Sequence, residues 1–261
     1  MIYKRTSLTP LFDLILNRDW PNVYKRLQTN PEEAQVWTSV CLNGKHFSRV
    51  LPLHIASLNN SNPVVIQKLI HCYPKAAKTK DSAYGRLPLH YACLRMPSPD
   101  LIKTLVAAYP EATRKNAAYG RLPLHYACSS GASKEVILVL LSMYVKAARH
   151  PDDCGWLPIH IGCLYNALPE VTEVLLNAYP ESVFMKTAKK NTPVLCTQLG
   201  DKSPDKTAGN IMLLETRRLQ LRKVQKSNSK KLQKERVQFR KIRHNVPKQM
   251  FIARIANAEF C

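Results

Sequence analysis

"AYGRLPLHYAC" stands at Ala83–Cys93 and again, letter for letter, at Ala118–Cys128. Each copy pairs a His with a Cys three residues on, two side chains often recruited for nucleophilic and metal chemistry. The string is part of a longer periodicity. "LPLH" begins at Leu51, Leu87 and Leu122, and "LPIH" at Leu157, in steps of 36, 35 and 35 residues. Further columns keep the same step: Ala56, Ala92, Ala127, Gly162; Val65, Leu101, Val136, Val171; Leu69, Leu105, Leu140, Leu175; Tyr73, Tyr109, Tyr144, Tyr179; and Gly85, Gly120, Gly155. So many aligned columns identify a tandem repeat, and every residue is then read by its place in the unit.

The unit from Leu87 to Gly120 reads as helix, turn, helix, loop. Pro88 suits the first helical position, where its missing N–H costs nothing. Ser98 followed by Pro99 is a second start signal, cap residue then proline. Leu101, Ile102, Leu105, Val106 and Tyr109 follow at helical spacing, and Pro110 ends that helix. The polar "EATRKNAAYGR" reads as an extended loop or tight hairpin. Neither helix buries its apolar stripe alone, so stacked units build a one-dimensional core. The Ala56, Ala92, Ala127, Gly162 column marks where neighbouring helices approach most closely.

"GRLPLHYAC…LIKTLVAAY" resembles the ankyrin repeat, whose hallmark is G-x-TPLH-x-A followed by a V-x-x-LL helix. The resemblance covers residues 43–200 in four tandem copies. It differs from the family in two ways. The units exceed the usual 33 residues, and Leu51, Leu87, Leu122 and Leu157 replace the Thr that caps the first helix. The resemblance implies an all-α ankyrin-like solenoid of stacked helix-turn-helix repeats, here with a C-terminal basic helix. It implies a non-enzymatic protein-interaction scaffold contacting partners through loop tips and first helices. It also implies that His54, His90, His125 and His160 tie each repeat to the next loop.

The chain divides accordingly: N-terminal capping helices or a degenerate repeat in 1–50, repeats at 51–86, 87–121, 122–156 and 157–191, a capping repeat at 192–216, and a basic helical tail at 217–261. Thr9-Pro10 and Trp20-Pro21 start the two N-terminal helices, and Thr192-Pro193 restores the family's own cap. In the tail, Ile211, Leu214, Leu221 and Val224 are placed to close the last face of the array.

Of the 261 residues 45% are hydrophobic, enough for a sizeable core, and the net charge is +21. Residues 211–261 carry 14 Lys and Arg against 3 acids, so about half the excess lies in the last fifth of the chain. Such a segment attracts acidic surfaces or nucleic acid. The alternative function is therefore a nucleic-acid-associated or nuclear adaptor acting through residues 217–243. Arg217-Arg218 followed by "KKLQK" also matches a bipartite import pattern. No stretch reads as a signal peptide or membrane span. With eight cysteines and no CxxC pair, the expectation is an intracellular chain, cytoplasmic or nuclear, with reduced thiols, and monomeric.

Cys93, Cys128 and Cys163 follow their histidines at i+3 and share a helix face with them. A dyad or metal pair needs converging partners, however. Zinc asks for four ligands at about 2.0–2.3 Å, whereas stacked helices sit about 8–10 Å apart. Neither catalytic residues nor a cofactor or metal are expected. The units differ most in the loop before each helix pair, which reads "SAYGR", "AAYGR" and "DDCGW". Arg, Tyr and Trp carry much of the energy at protein interfaces, so Tyr84, Arg86, Tyr119, Arg121 and Trp156 are the expected partner contacts. Arg121→Ala is expected to leave the fold intact.

Overall fold

The structure is a computed structural model, which describes residues 8–42, 46–200 and 204–245. Residues 1–7 and 246–261, which the sequence reading assigns to the N-terminal cap and the basic tail, lie outside the described residues. The chain is mostly helical. Twelve α-helices are described: α1 Pro10–Leu16, α2 Trp20–Thr29, α3 Pro52–Leu58, α4 Pro63–Cys72, α5 Pro88–Cys93, α6 Pro99–Ala108, α7 Pro123–Ser129, α8 Lys134–Met143, α9 Pro158–Leu164, α10 Pro169–Ala178, α11 Pro193–Leu199 and α12 Pro204–Asn245. All but α2 and α8 begin at a proline. The missing amide of that residue would have no intrahelical partner anyway.

Odd-numbered helices pack in chain order, α1 on α3, α3 on α5, α5 on α7, α7 on α9 and α9 on α11. Even-numbered helices pack likewise from α2 to α10. Leu53, Leu89, Leu124 and Ile159 of the first set are buried, as are Leu69, Leu105, Leu140 and Leu175 of the second. Two compact units emerge, residues 1–217 and 218–261. Helix α12 begins in the first unit, and its residues from 218 on belong to the second. Within the first unit it buries Leu214 and Asn210, whose amide donates to the Ala167 carbonyl at 2.8 Å. Ile211 is partly buried within the first unit; in the second, Leu221 is partly buried and Val224 is 55% exposed.

Each even-numbered helix from α4 to α10 ends at its column tyrosine, with φ between −143° and −152° and ψ near 80–85°. The chain then enters a 3-10 turn: Pro74–Lys78, Pro110–Arg114, Val145–Arg149 or Pro180–Phe184. The sequence reading places polar loop there. The turns instead bury Ala76, Ala77, Ala112, Thr113, Ala147, Ala148 and Val183. The tyrosine rings take cations from the preceding turn: Lys78 sits 5.7 Å from Tyr109, Arg114 5.5 Å from Tyr144, and Arg149 4.9 Å from Tyr179. These contacts add cross-unit cohesion beyond ring packing.

Residues 38–50 depart from the all-helical expectation. β1 (Thr38–Leu42) and β2 (His46–Val50) form an antiparallel hairpin pairing Thr38 with Val50 and Val40 with Ser48. Val40 and Val50 are buried. Strand β2 then feeds the first of a series of loops, because the Ser82 amide donates to the Arg49 carbonyl at 3.2 Å.

Candidate functional site

The four helices that open with LPLH or LPIH, each after a leucine at the cap, are capped by their histidine. At Leu51, Leu87, Leu122 and Leu157 the cap amide donates to the Nδ1 of the His three residues on, at 3.1 Å each time. Nδ1 must therefore be the unprotonated nitrogen, which leaves Nε2–H as a donor. It donates to the carbonyls of Thr79, Lys115, Trp156 and Met185, respectively, at 3.0–3.2 Å. His54, His90, His125 and His160 thus join the start of one helix to a segment 25 or 31 residues later. All four are fully buried. Burial holds His54 and His125 at about 4 and His90 at about 3, and it lowers His160 as well.

The cysteines lie beside them with thiols that burial keeps protonated. Cys93, Cys128, Cys163 and Cys196 are buried. Burial raises all four thiols, Cys163 to about 12 and Cys196 to about 11. A nucleophilic pair needs a lowered thiol and a raised imidazole; here both shifts run the other way. In the first unit Ser57 fills the cysteine slot and donates to the Leu53 carbonyl at 2.7 Å. Among the described residues, no group of three His, Cys, Asp or Glu is placed to hold a metal.

The loops before the helix pairs form a row. The Ala118 amide donates to the Tyr84 carbonyl at 2.7 Å, Asp153 to Tyr119 at 3.0 Å and Ala188 to Cys154 at 3.0 Å. The first residue of each loop donates its amide to the carbonyl of the last: Asp81 to Arg86, Ala117 to Arg121, Asp152 to Trp156 and Thr187 to Asn191. Gly120 has φ +68°, a left-handed conformation that favours glycine, and a Cβ there would stand 3.2 Å from the backbone amide of Asp153 in the next loop.

The row carries Tyr84, Arg86, Tyr119, Arg121 and Trp156, but in unequal states. Tyr119 is 66% exposed and held at φ +62°, a left-handed conformation uncommon for an aromatic residue. Arg86 lies 4.3 Å from the Tyr84 ring and 5.3 Å from the Tyr126 ring. Trp156 packs edge-on against His160 at 6.2 Å. Arg121 is already engaged, its Nε donating to Asp152 Oδ2 at 3.0 Å.

That bond bears on the expectation that Arg121→Ala leaves the fold intact, since Asp152 is a buried carboxylate and Arg121 is its cation. Asp152 Oδ1 also accepts from the amides of Cys154 and Trp156. Asp81 does the same work two loops earlier, accepting from the amides of Tyr84 and Arg86, the Tyr91 hydroxyl at 2.7 Å and the Ser48 hydroxyl. Sequence reasoning missed both aspartates because acids are sparse and a surface loop is expected to be acidic at random. The signal that could have found them is their equal place at the first residue of the loop.

Compared with known proteins, the chain matches no family model, and no curated protein matches it significantly. Among the described residues no helix is long and apolar enough to cross a membrane.

Proposed function

We propose that the chain is an ankyrin-like solenoid serving as a non-enzymatic protein-interaction scaffold, with the row of loop tips as its binding face. The observation that carries this reading is the row itself. Loops about 35 residues apart are stitched by one backbone bond each and present different side chains on a common frame. The histidine joints and in-order helix packing suit a stacked array, in which each unit contacts only its neighbours. Tyr119, exposed and in a strained conformation, is the contact residue the geometry favours most. The test is affinity capture from cells with the parent and with a Tyr119→Ser/Trp156→Leu variant of equal thermal stability. The reading predicts loss of the parent's specific partners, and an unchanged set of captured proteins refutes it.

A second reading, a nucleic-acid-associated adaptor, draws on α12. Residues 222–236 are all exposed and include seven Lys and Arg against one Glu. Phosphate binding through such a helix weakens steeply with salt. Deleting residues 218–261, which spares the buried Asn210 and Leu214, would abolish it, and binding that survives the deletion would remove the helix from consideration.

A further inference from the structure

Three loops of the row begin with an acid or its stand-in, Asp81, Ala117 and Asp152, and the middle one is alanine. The two aspartates show what a carboxylate at that place does. Asp152 takes the Nε of Arg121, an arginine 31 residues earlier, and Asp81 takes the hydroxyl of Tyr91, a tyrosine ten residues later. Counting the same distances from position 117 gives Arg86 and, one residue nearer because this loop is shorter, Tyr126. Both are present, with the Arg86 guanidinium 5.3 Å from the Tyr126 ring. Neither has its acid. The Arg86 Nε is buried without a hydrogen-bond partner, and no ion pair of Arg86 or hydrogen bond of the Tyr126 hydroxyl exists among the described residues. Asp81, the nearest acid along the chain, is already saturated by four donors.

We infer that Arg86, held against Tyr84 and Tyr126, is a binding site for the carboxylate of an acidic peptide segment of a partner. The inference rests on the reading of the loop row as a binding face. Chemistry and charge agree on the occupant. A guanidinium whose carbon lies 4.3 Å and 5.3 Å from two aromatic rings is held in place for bidentate donation to a carboxylate. The chain's own solution at the neighbouring loop is an aspartate. A net charge of +21 favours approach of an acidic partner. The nearby Lys80, whose Nζ donates to the Asn116 carbonyl at 3.0 Å, adds a second cation at the same pair of loops.

The test follows the Arg86 Nε–H resonance of the full chain by NMR during titration with a hexaglutamate peptide at constant ionic strength. The expected result is a saturable shift that hexaglutamine does not produce. Ala117→Asp places the carboxylate in cis, so it should move the resonance without peptide and weaken hexaglutamate binding at least about tenfold. Arg86→Gln should weaken it as much, which keeps the test decisive if the aspartate variant folds poorly. An unresponsive Nε–H, an equal response to hexaglutamine, or undiminished peptide binding by both variants would overturn the inference. So would an oligothymidylate that moves the signal more strongly than hexaglutamate. If the Tyr119/Trp156 variant loses its partners while Arg86 ignores hexaglutamate, only the carboxylate site fails. If Arg86 responds but the captured set is unchanged, the scaffold reading fails instead.

Discussion

Acidification from about pH 7.5 to about pH 5.5 acts on the four buried histidines before it acts on any ordinary carboxylate. An unfolded His titrates near 6.5. In the folded chain burial keeps His54 and His125 neutral down to about 4 and His90 down to about 3. Folded pKa values are depressed, so the unfolded chain binds protons that the folded chain refuses. Stability is then full above about pH 7 and is lost as pH falls below 6.5 towards the folded values. At about pH 5.5 an unfolded His is roughly ten-elevenths protonated, which costs the folded state about 1.4 kcal/mol per residue. The three residues together cost about 4 kcal/mol, and His160 adds a loss of the same sign. Against a typical stability of about 5–15 kcal/mol this is a large fraction. Urea unfolding followed by circular dichroism at a series of pH values reads it directly. The unfolding free energy should be level above about pH 7 and lower by about 4 kcal/mol at about pH 5.5, and His90→Gln should reduce that loss by about 1.4 kcal/mol. Equal stability at the two pH values, or a loss that begins only below about pH 4.5, would refute the argument. The latter result would place the protons on carboxylates.

Three substitutions probe packing and backbone. Gly162 lies inside α9, and a methyl there meets Ala167 Cβ at 3.5 Å and Leu175 Cδ1 at 3.7 Å, ordinary contact distances. Gly162→Ala should therefore raise unfolding stability by about 0.5–1 kcal/mol, and a loss would mean that α9 approaches its neighbours more closely than described. Met96 sits at φ +29° in the turn before α6, at the register of Asn60, Gly131 and Asn166, which also have positive φ. Met96→Asn should stabilise by about 1 kcal/mol in thermal melts, and no gain would show that the turn is unstrained. Arg121→Ala leaves Asp152 buried without its cation and should cost about 1–3 kcal/mol. The same change in an Asp152→Asn background should cost less, and equal costs in the two backgrounds would deny the pairing.

What was legible in the sequence was local or periodic. Proline at a first turn, a cap residue before it and apolar positions at helical spacing act within a few residues, so the starts at Pro10, Pro99 and Pro193 are readable without a neighbour. The 3-10 turns after Tyr73, Tyr109, Tyr144 and Tyr179 were hidden because Ala76, Ala112 and Ala147 are buried against other units, among residues whose polarity suggests solvent. The hairpin at 38–50 was hidden for a related reason: its role is to start the loop row, which exists only once the units are placed side by side.

The two identical strings show the division most plainly. The sequence by itself determined that both copies of "LPLHYAC" begin a helix at their proline; that each helix is capped by its own histidine, over only three residues, came from the structure. The sequence did not determine what the shared "AYGR" becomes. Tyr91 reaches Asp81 while Tyr126 lies by Arg86, and Tyr119 turns left-handed while Tyr84 does not. The difference lies outside the repeated string, where aspartate stands at 81 and alanine at 117 and the second loop is one residue shorter. Its effect is felt only where the neighbouring loop and helix are folded against it. A side chain's chemistry belongs to its sequence, but the partners that occupy or free that chemistry are supplied by the tertiary structure.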